Sequence, residues 1–289
     1  SDIAPSLRVR TILHFRDMLT TITTLIAIAG YLTATWLTYG QLNNDPRLSP
    51  RPSASVAWAI GVAIVCHAGA VFPGINHLAA VNLALGSTIS IVALVIVTLF
   101  LVSAVRQPIL ALAFLVLPVA AAAVAIGSIF PGDPHPLRLT SGLALAHSLV
   151  AGLAYAFLSL AVTQAVLARF QERSLRQRHA LGMIRSLPPV ETMETLLFQL
   201  ITVGFVLLSI TLLSGIGFSS QLFGKAFVFN HHAVLALLAW GSFATLLGGR
   251  VLAGWRGQFA VQWTLASFIL LLLAYFGTRF VLEVLLAQP

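Results

Sequence analysis

Eight long apolar stretches run through this chain, broken by short polar connections. The hydrocarbon core of a bilayer is about 30 Å thick and takes about 20 apolar residues as helix. The chain meets that length repeatedly, with charged residues at only 8% and a mean hydropathy of +0.97. The expected fold class is therefore all-α: a polytopic membrane helix bundle of about eight transmembrane helices, with residues 1–289 forming a single integral membrane domain. In such a setting a buried leucine carries no information. An ionisable group inside a span is costly, and it marks a candidate functional position.

Helices are predicted over 18–40, 54–72, 79–104, 108–130, 139–169, 194–217, 231–250 and 259–287. Pro46, Pro50 and Pro52 break the first connection, and Pro73-Gly74 ends the second helix. Gln107-Pro108 makes a tight third connection, with Pro at a helix start. The run Pro131-Gly132-Asp133-Pro134-His135-Pro136 bars helix. Residues 1–17 are polar and basic and lead straight into a span, so no cleavable signal is expected.

Orientation follows from arginine placement. Connections after odd helices carry Arg47, Arg51, Arg106, Arg169, Arg173, Arg176, Arg178, Arg185, Arg250 and Arg256. Connections after even helices carry only Arg138 and Lys225. The positive-inside rule puts the first group in the cytoplasm and both termini outside. Arg8, Arg10 and Arg16, before the first helix, run against this bias. A pI near 11 would suggest nucleic acid in a soluble protein. Here the basic residues sit mostly in short connections and serve topology, so the expected partner is the lipid bilayer and no nucleic acid. Residues 170–193 form the one substantial cytoplasmic connection. Gln171 to Arg185 reads as a basic helical extension against lipid headgroups. Leu187-Pro188-Pro189 stops it, and Glu191 and Glu194 then sit in the first turn of the next helix, as the macrodipole favours.

Histidine is the second signal. Of eight, His67, His147, His231 and His232 lie in or at the edge of spans. In the predicted topology all four fall in the outer half of the bilayer. At 1.5 Å per residue His67 lies about 7–8 Å, and His147 about 12 Å, from the outer end of its helix. Imidazoles at one depth on separate helices suit axial coordination of a flat macrocycle, or a metal site. Small residues flank them: Ala144, Ala151 and Ala154 around His147, Ala63 and Ala70 around His67. These leave room for a planar ligand, and they equally promote close helix packing, in which a histidine simply hydrogen-bonds a neighbour. The candidate iron ligand is His147, with His67 or His231 opposite. Arg138 and Arg279 lie toward the outer side, where a haem propionate would want a guanidinium. Glu283 is the only carboxylate within a span, so an acid-based ion pump is disfavoured. The single cysteine, Cys66, permits neither an intrachain disulfide nor a CxxCH haem attachment. No Walker A, HExxH or GxSxG motif is present, and no catalytic role is expected.

Several stretches carry a resemblance. They are Val65-Cys66-His67-Ala68, Leu145-Ala146-His147 with Tyr155 two turns on, and Ser186-Leu187-Pro188-Pro189. With them go His231-His232 through Trp240, Gly254-Trp255-Arg256-Gly257, and Leu273-Ala274-Tyr275-Phe276-Gly277. In this order the chain resembles the cytochrome c assembly protein family of CcsA/ResC/CcmC-type haem handlers, and most of all its YpjD-type inner-membrane branch. The resemblance implies a bacterial inner-membrane protein that binds haem b non-covalently through helix histidines. It also implies that His231 faces the bundle and His232 faces outward, since adjacent helical residues point about 100° apart. The chain departs from the family in lacking the Trp-rich outer segment that presents haem to a partner. The expected function is handling or chaperoning haem at the outer leaflet. Two alternatives stand beside it: a cytochrome b-like electron-transfer subunit, and a non-haem accessory subunit of a membrane transport or biogenesis complex.

Overall fold

The computed structural model describes residues 3–44, 51–71, 80–82, 84–130, 136–138, 142–176, 187–223 and 231–281. Among them eight helices are long and apolar enough to cross a membrane. They are α1 (Ile3–Asn44), α2 (Ala54–Val71), α3 (Leu85–Arg106), α4 (Ala113–Ile129), α5 (Gly142–Arg176), α6 (Val190–Phe223), α7 (His231–Ala253) and α8 (Gly257–Leu272). A short 3₁₀ turn (Leu110–Leu112) precedes α4. Beyond Leu272 the last helix widens into a π-helical turn (Leu273–Gly277) and closes with Thr278–Phe280. The all-α membrane bundle expected from hydropathy is the observed fold.

Local chemistry sets the breaks between helices. Gln41 closes the first connection from both sides: its amide donates to the Arg51 carbonyl at 2.7 Å and accepts from the Ser53 amide at 2.9 Å. Ser53 caps the start of α2 through its hydroxyl and its carbonyl. Gln107 stands extended before Pro108 and ends α3. Gln171 donates to the Pro188 carbonyl at 2.9 Å, and Gln164 to the Met193 carbonyl at 3.1 Å. Those bonds tie the end of α5 to the start of α6. In the turn between α7 and α8, Gly254 and Gly257 take φ of 65° and 61°, a conformation that costs any residue with a Cβ.

Two boundaries differ from expectation. Residues 80–82 do not begin α3; they form strand β1 (Ala80–Asn82), paired antiparallel with β2 (Pro136–Arg138) in the register Ala80↔Arg138. Pro136, which cannot donate to a ladder, sits at the end of this short ribbon. The other difference is length. α1 has 42 residues, about 63 Å of helix, well beyond the span Asp17–Asn43.

The helices pack as two halves. In the first, α1 lies against α2 and α4, and α3 against α4. Its core holds Tyr31, Ile60, Phe100, Leu110 and Leu117, all fully buried. A Cβ on Gly30 would come within 2.9 Å of the Ala63 Cβ, so glycine there permits the close approach of α1 and α2. In the second half α5 packs along α6, and α8 against α7 and α5, around Leu158, Ile201, Phe243 and Leu246. α3 meets α5 at the seam. Arg51, Arg106, Arg169, Arg173, Arg176, Arg250 and Arg256 gather at one end of the bundle. The opposite end, arginine-poor in its connections, holds the starts of α1, α3, α5 and α7 and the ends of α2, α4, α6 and α8, and α1 carries Arg8, Arg10 and Arg16 in its first part.

Candidate haem-handling site

The four span histidines do not behave alike. His67 is fully buried in the first half. Its Nδ1 lies 3.0 Å from the Tyr31 hydroxyl on α1 and its Nε2 lies 3.0 Å from Ser90 Oγ on α3. Both ring nitrogens are therefore engaged, and the residue bridges three helices. To hold iron, His67 would have to surrender one of these bonds.

His147, on α5, is half-buried near the arginine-poor end. Its Nδ1 lies 2.9 Å from Ser214 Oγ on α6. Ser214 itself donates to the Thr211 carbonyl, so it meets the imidazole as acceptor in that arrangement. A Cβ on Gly215 would stand 3.4 Å from His147 Cε1, so the imidazole lies over a residue without a side chain.

α7 begins at His231, and both His231 and His232 are exposed. Of the two, His232 makes the ring contact. His232 meets the Tyr275 ring edge-on at 6.3 Å and lies beside the Ala274 main chain. His231 has no ring contact among the described residues.

The other side of the site comes from α8. The stretch Leu273-Ala274-Tyr275-Phe276-Gly277 is the π-helical turn. Such turns are rare and recur at functional positions. Here the turn presents two aromatic rings. Tyr275 faces His232 and reaches Thr88 on α3, hydroxyl to hydroxyl at 3.4 Å. Phe276 meets the Tyr155 ring at 5.9 Å. Tyr155 donates to the Leu271 carbonyl at 2.7 Å, bracing α8 where the widening begins. Ser214 and Thr88 were not singled out by the sequence. His232 and Tyr275 both stood in stretches already marked by resemblance, and His232 was among the span histidines.

A sequence profile described as "Cytochrome C assembly protein" matches residues 59–286. The chain belongs to the cytochrome c assembly protein family. It is similar to the inner membrane protein YpjD of Escherichia coli K12, with 31% identity over 232 residues, 78% of this chain and 85% of that protein. It is also similar, at 30% identity over 140 residues, to a 28.8 kDa protein of Azospirillum brasilense, covering 48% of this chain and 52% of that one. A third relative is the cytochrome c biogenesis protein CcsA of Prochlorococcus marinus MIT 9215. It shares 29% identity over 90 residues, 31% of this chain and 29% of that protein. No solved structure matches the chain.

In this cytochrome c assembly protein the two most specific stretches lie at opposite ends of the bundle. Gly254-Trp255-Arg256-Gly257 is the turn at the arginine-rich end. There Glu194 accepts the Gly257 amide at 2.5 Å, and Arg250 lies 4.5 Å over the Phe198 ring while donating to the Trp255 carbonyl at 3.3 Å. This end is a lock between α6, α7 and α8. The π-helical turn, at the other end, borders the histidines. The donor set there suits haem: imidazoles from α5 and α7, with a hydroxyl partner orienting one of them. Among the described residues no group of three or more His, Cys, Asp or Glu gathers to form an all-protein metal cage. Haem asks less, because the macrocycle itself supplies four nitrogens. Arg138, in β2, and Arg279, in the last helical turn, fall at the same end by backbone position. Their side chains lie outside the described residues, as does Glu283.

Proposed function

We propose that this inner-membrane protein takes part in cytochrome c biogenesis by binding haem b non-covalently at its arginine-poor end and holding it for transfer. The observation that carries the reading is the gathering at one end of the bundle of His147, bonded to Ser214, and His232, which meets Tyr275 of the π-helical turn. His147 would hold the iron, oriented by Ser214. His232 is favoured over His231 and His67 as its partner, because His232 meets Tyr275 of the π-helical turn and both nitrogens of His67 are engaged. When bound, the group would supply an iron centre, which the His147 and His232 imidazoles would hold. The protein's own share is to orient the imidazoles, to wall the site with Tyr155, Tyr275 and Phe276, and to place guanidinium groups near the propionates. Arg138 and Arg279 are the proposed propionate partners. The arginine distribution supports an outward-facing site, with both termini outside.

An absorption spectrum of the detergent-purified chain tests the reading. A Soret band with α and β peaks on reduction is the expected result. A spectrum without them, in protein purified from haem-replete cells, sinks it and favours an accessory subunit.

A further inference from the structure

A cavity of about 720 Å³ lies in the first half, between α1, α2, α3 and α4 at the arginine-poor end. It is walled off from the histidine site by α3. Its lining is graded. At the rim stands Asp17, the only ionisable side chain among its described lining residues and one that forms no ion pair among the described residues. Below come the hydroxyls of Thr21, Thr24, Ser128 and Ser90. Thr24 pairs with Ser128 at 3.3 Å across α1 and α4, and Ser90 connects back to buried His67. The floor is apolar: Leu25, Ile28, Ile91 and Val124. From Asp17 to Ile28 the drop is about 16 Å along α1, most of one leaflet.

Carboxylate, then hydroxyls, then hydrocarbon is the sequence of chemistry met by an amphiphile whose head is a cation. We propose that this cavity binds one phospholipid of its own leaflet through a primary ammonium head group. The ammonium sits on the Asp17 carboxylate, the hydroxyls meet the polar backbone of the lipid, and one acyl chain lies on the floor. A primary ammonium donates three hydrogen bonds, which a carboxylate and neighbouring hydroxyl oxygens can accept. A quaternary ammonium has no proton to donate. An anionic head meets a carboxylate of like charge. Much of the wall is α1, which lies before the residues matched by the family profile, so the site does not depend on the haem reading.

The test is lipid retention by the full-length chain in nanodiscs and native mass spectrometry, with phosphatidylethanolamine, phosphatidylcholine and phosphatidylglycerol offered in equal amounts. Selective retention of phosphatidylethanolamine is expected. Asp17→Asn should weaken it about tenfold, the worth of one charge-assisted bond. Asp17 is exposed, so this variant leaves the core intact. Ile28→Trp, which fills the floor, should abolish retention while keeping Asp17. Equal retention of all three lipids, or unchanged selectivity in Asp17→Asn, overturns the proposal.

Discussion

His232 meets Tyr275 edge-on, ring centres 6.3 Å apart, whereas its neighbour His231 has no such partner among the described residues. The pair therefore predicts unequal effects. His232→Ala should remove most of the retained haem or shift its spectrum. His231→Ala should leave both nearly unchanged. Haem content per chain and the reduced spectrum of each purified variant decide it, and the opposite order would return the site to His231.

Ser214 holds Nδ1 of His147 at 2.9 Å. Loss of an outer partner that orients a metal-bound imidazole costs about 10–100-fold in affinity. Ser214→Ala should accordingly weaken haem retention by that factor without removing it, whereas His147→Ala should strip it. Titration of both variants with haemin separates the two cases. Equal loss in both would mean that Ser214 matters for folding alone.

His67→Ala should read out as stability and not as spectrum. The change leaves the Tyr31 and Ser90 hydroxyls without their buried partner, at about 1–3 kcal/mol each, and opens a void among α1, α2 and α3. A large fall in Tm with an unaltered Soret band in the surviving protein is expected. A lost or shifted Soret band at unchanged Tm would instead make His67 an iron ligand.

The lock at the arginine-rich end predicts a further pair. Gly257→Ala places a Cβ at φ 61° and should cost about 1–2 kcal/mol. Glu194→Gln keeps an acceptor for the Gly257 amide but loses its charge, and should cost about 1 kcal/mol. Thermal denaturation of the detergent-solubilised variants measures both. No change in either would mean that the turn is held by other contacts, such as the edge-on meeting of the Trp255 and Phe259 rings at 4.5 Å.

Orientation is checked with reporters fused after Pro289. A reporter active only outside the cytoplasm should be active there, and one that matures only in the cytoplasm should stay dark. The reverse pattern would move both termini inside and give Arg8, Arg10 and Arg16 their usual side.

The spans are legible in the sequence because an apolar run of about 20 residues has one stable use in a cell. Leu85–Arg106 and Leu110–Ile129 are separated by nothing but Gln107-Pro108-Ile109, yet proline makes the break plain. The ribbon is not legible. Ala80–Asn82 is too short to show alternation, and its partner starts with a proline that argues against a strand. The π-helical turn is hidden for another reason: Leu-Ala-Tyr-Phe-Gly is compatible with ordinary helix, and the extra residue per turn answers to contacts from α5 and α7. For the site, His147 could be found by depth and small neighbours. The role of His232 could not, because its contact with Tyr275 depends on how α7 packs against the end of α8.

Thr88 and Ser90 stand two positions apart on α3, about 200° around the helix. One bonds Tyr275 in the second half and the other bonds His67 in the first. A single rod is thus pinned on opposite flanks, within 3 Å of its length, to both halves of the molecule. Any axial slip or roll of that rod must loosen both pins together, so neither half can shift at this depth without the other registering it.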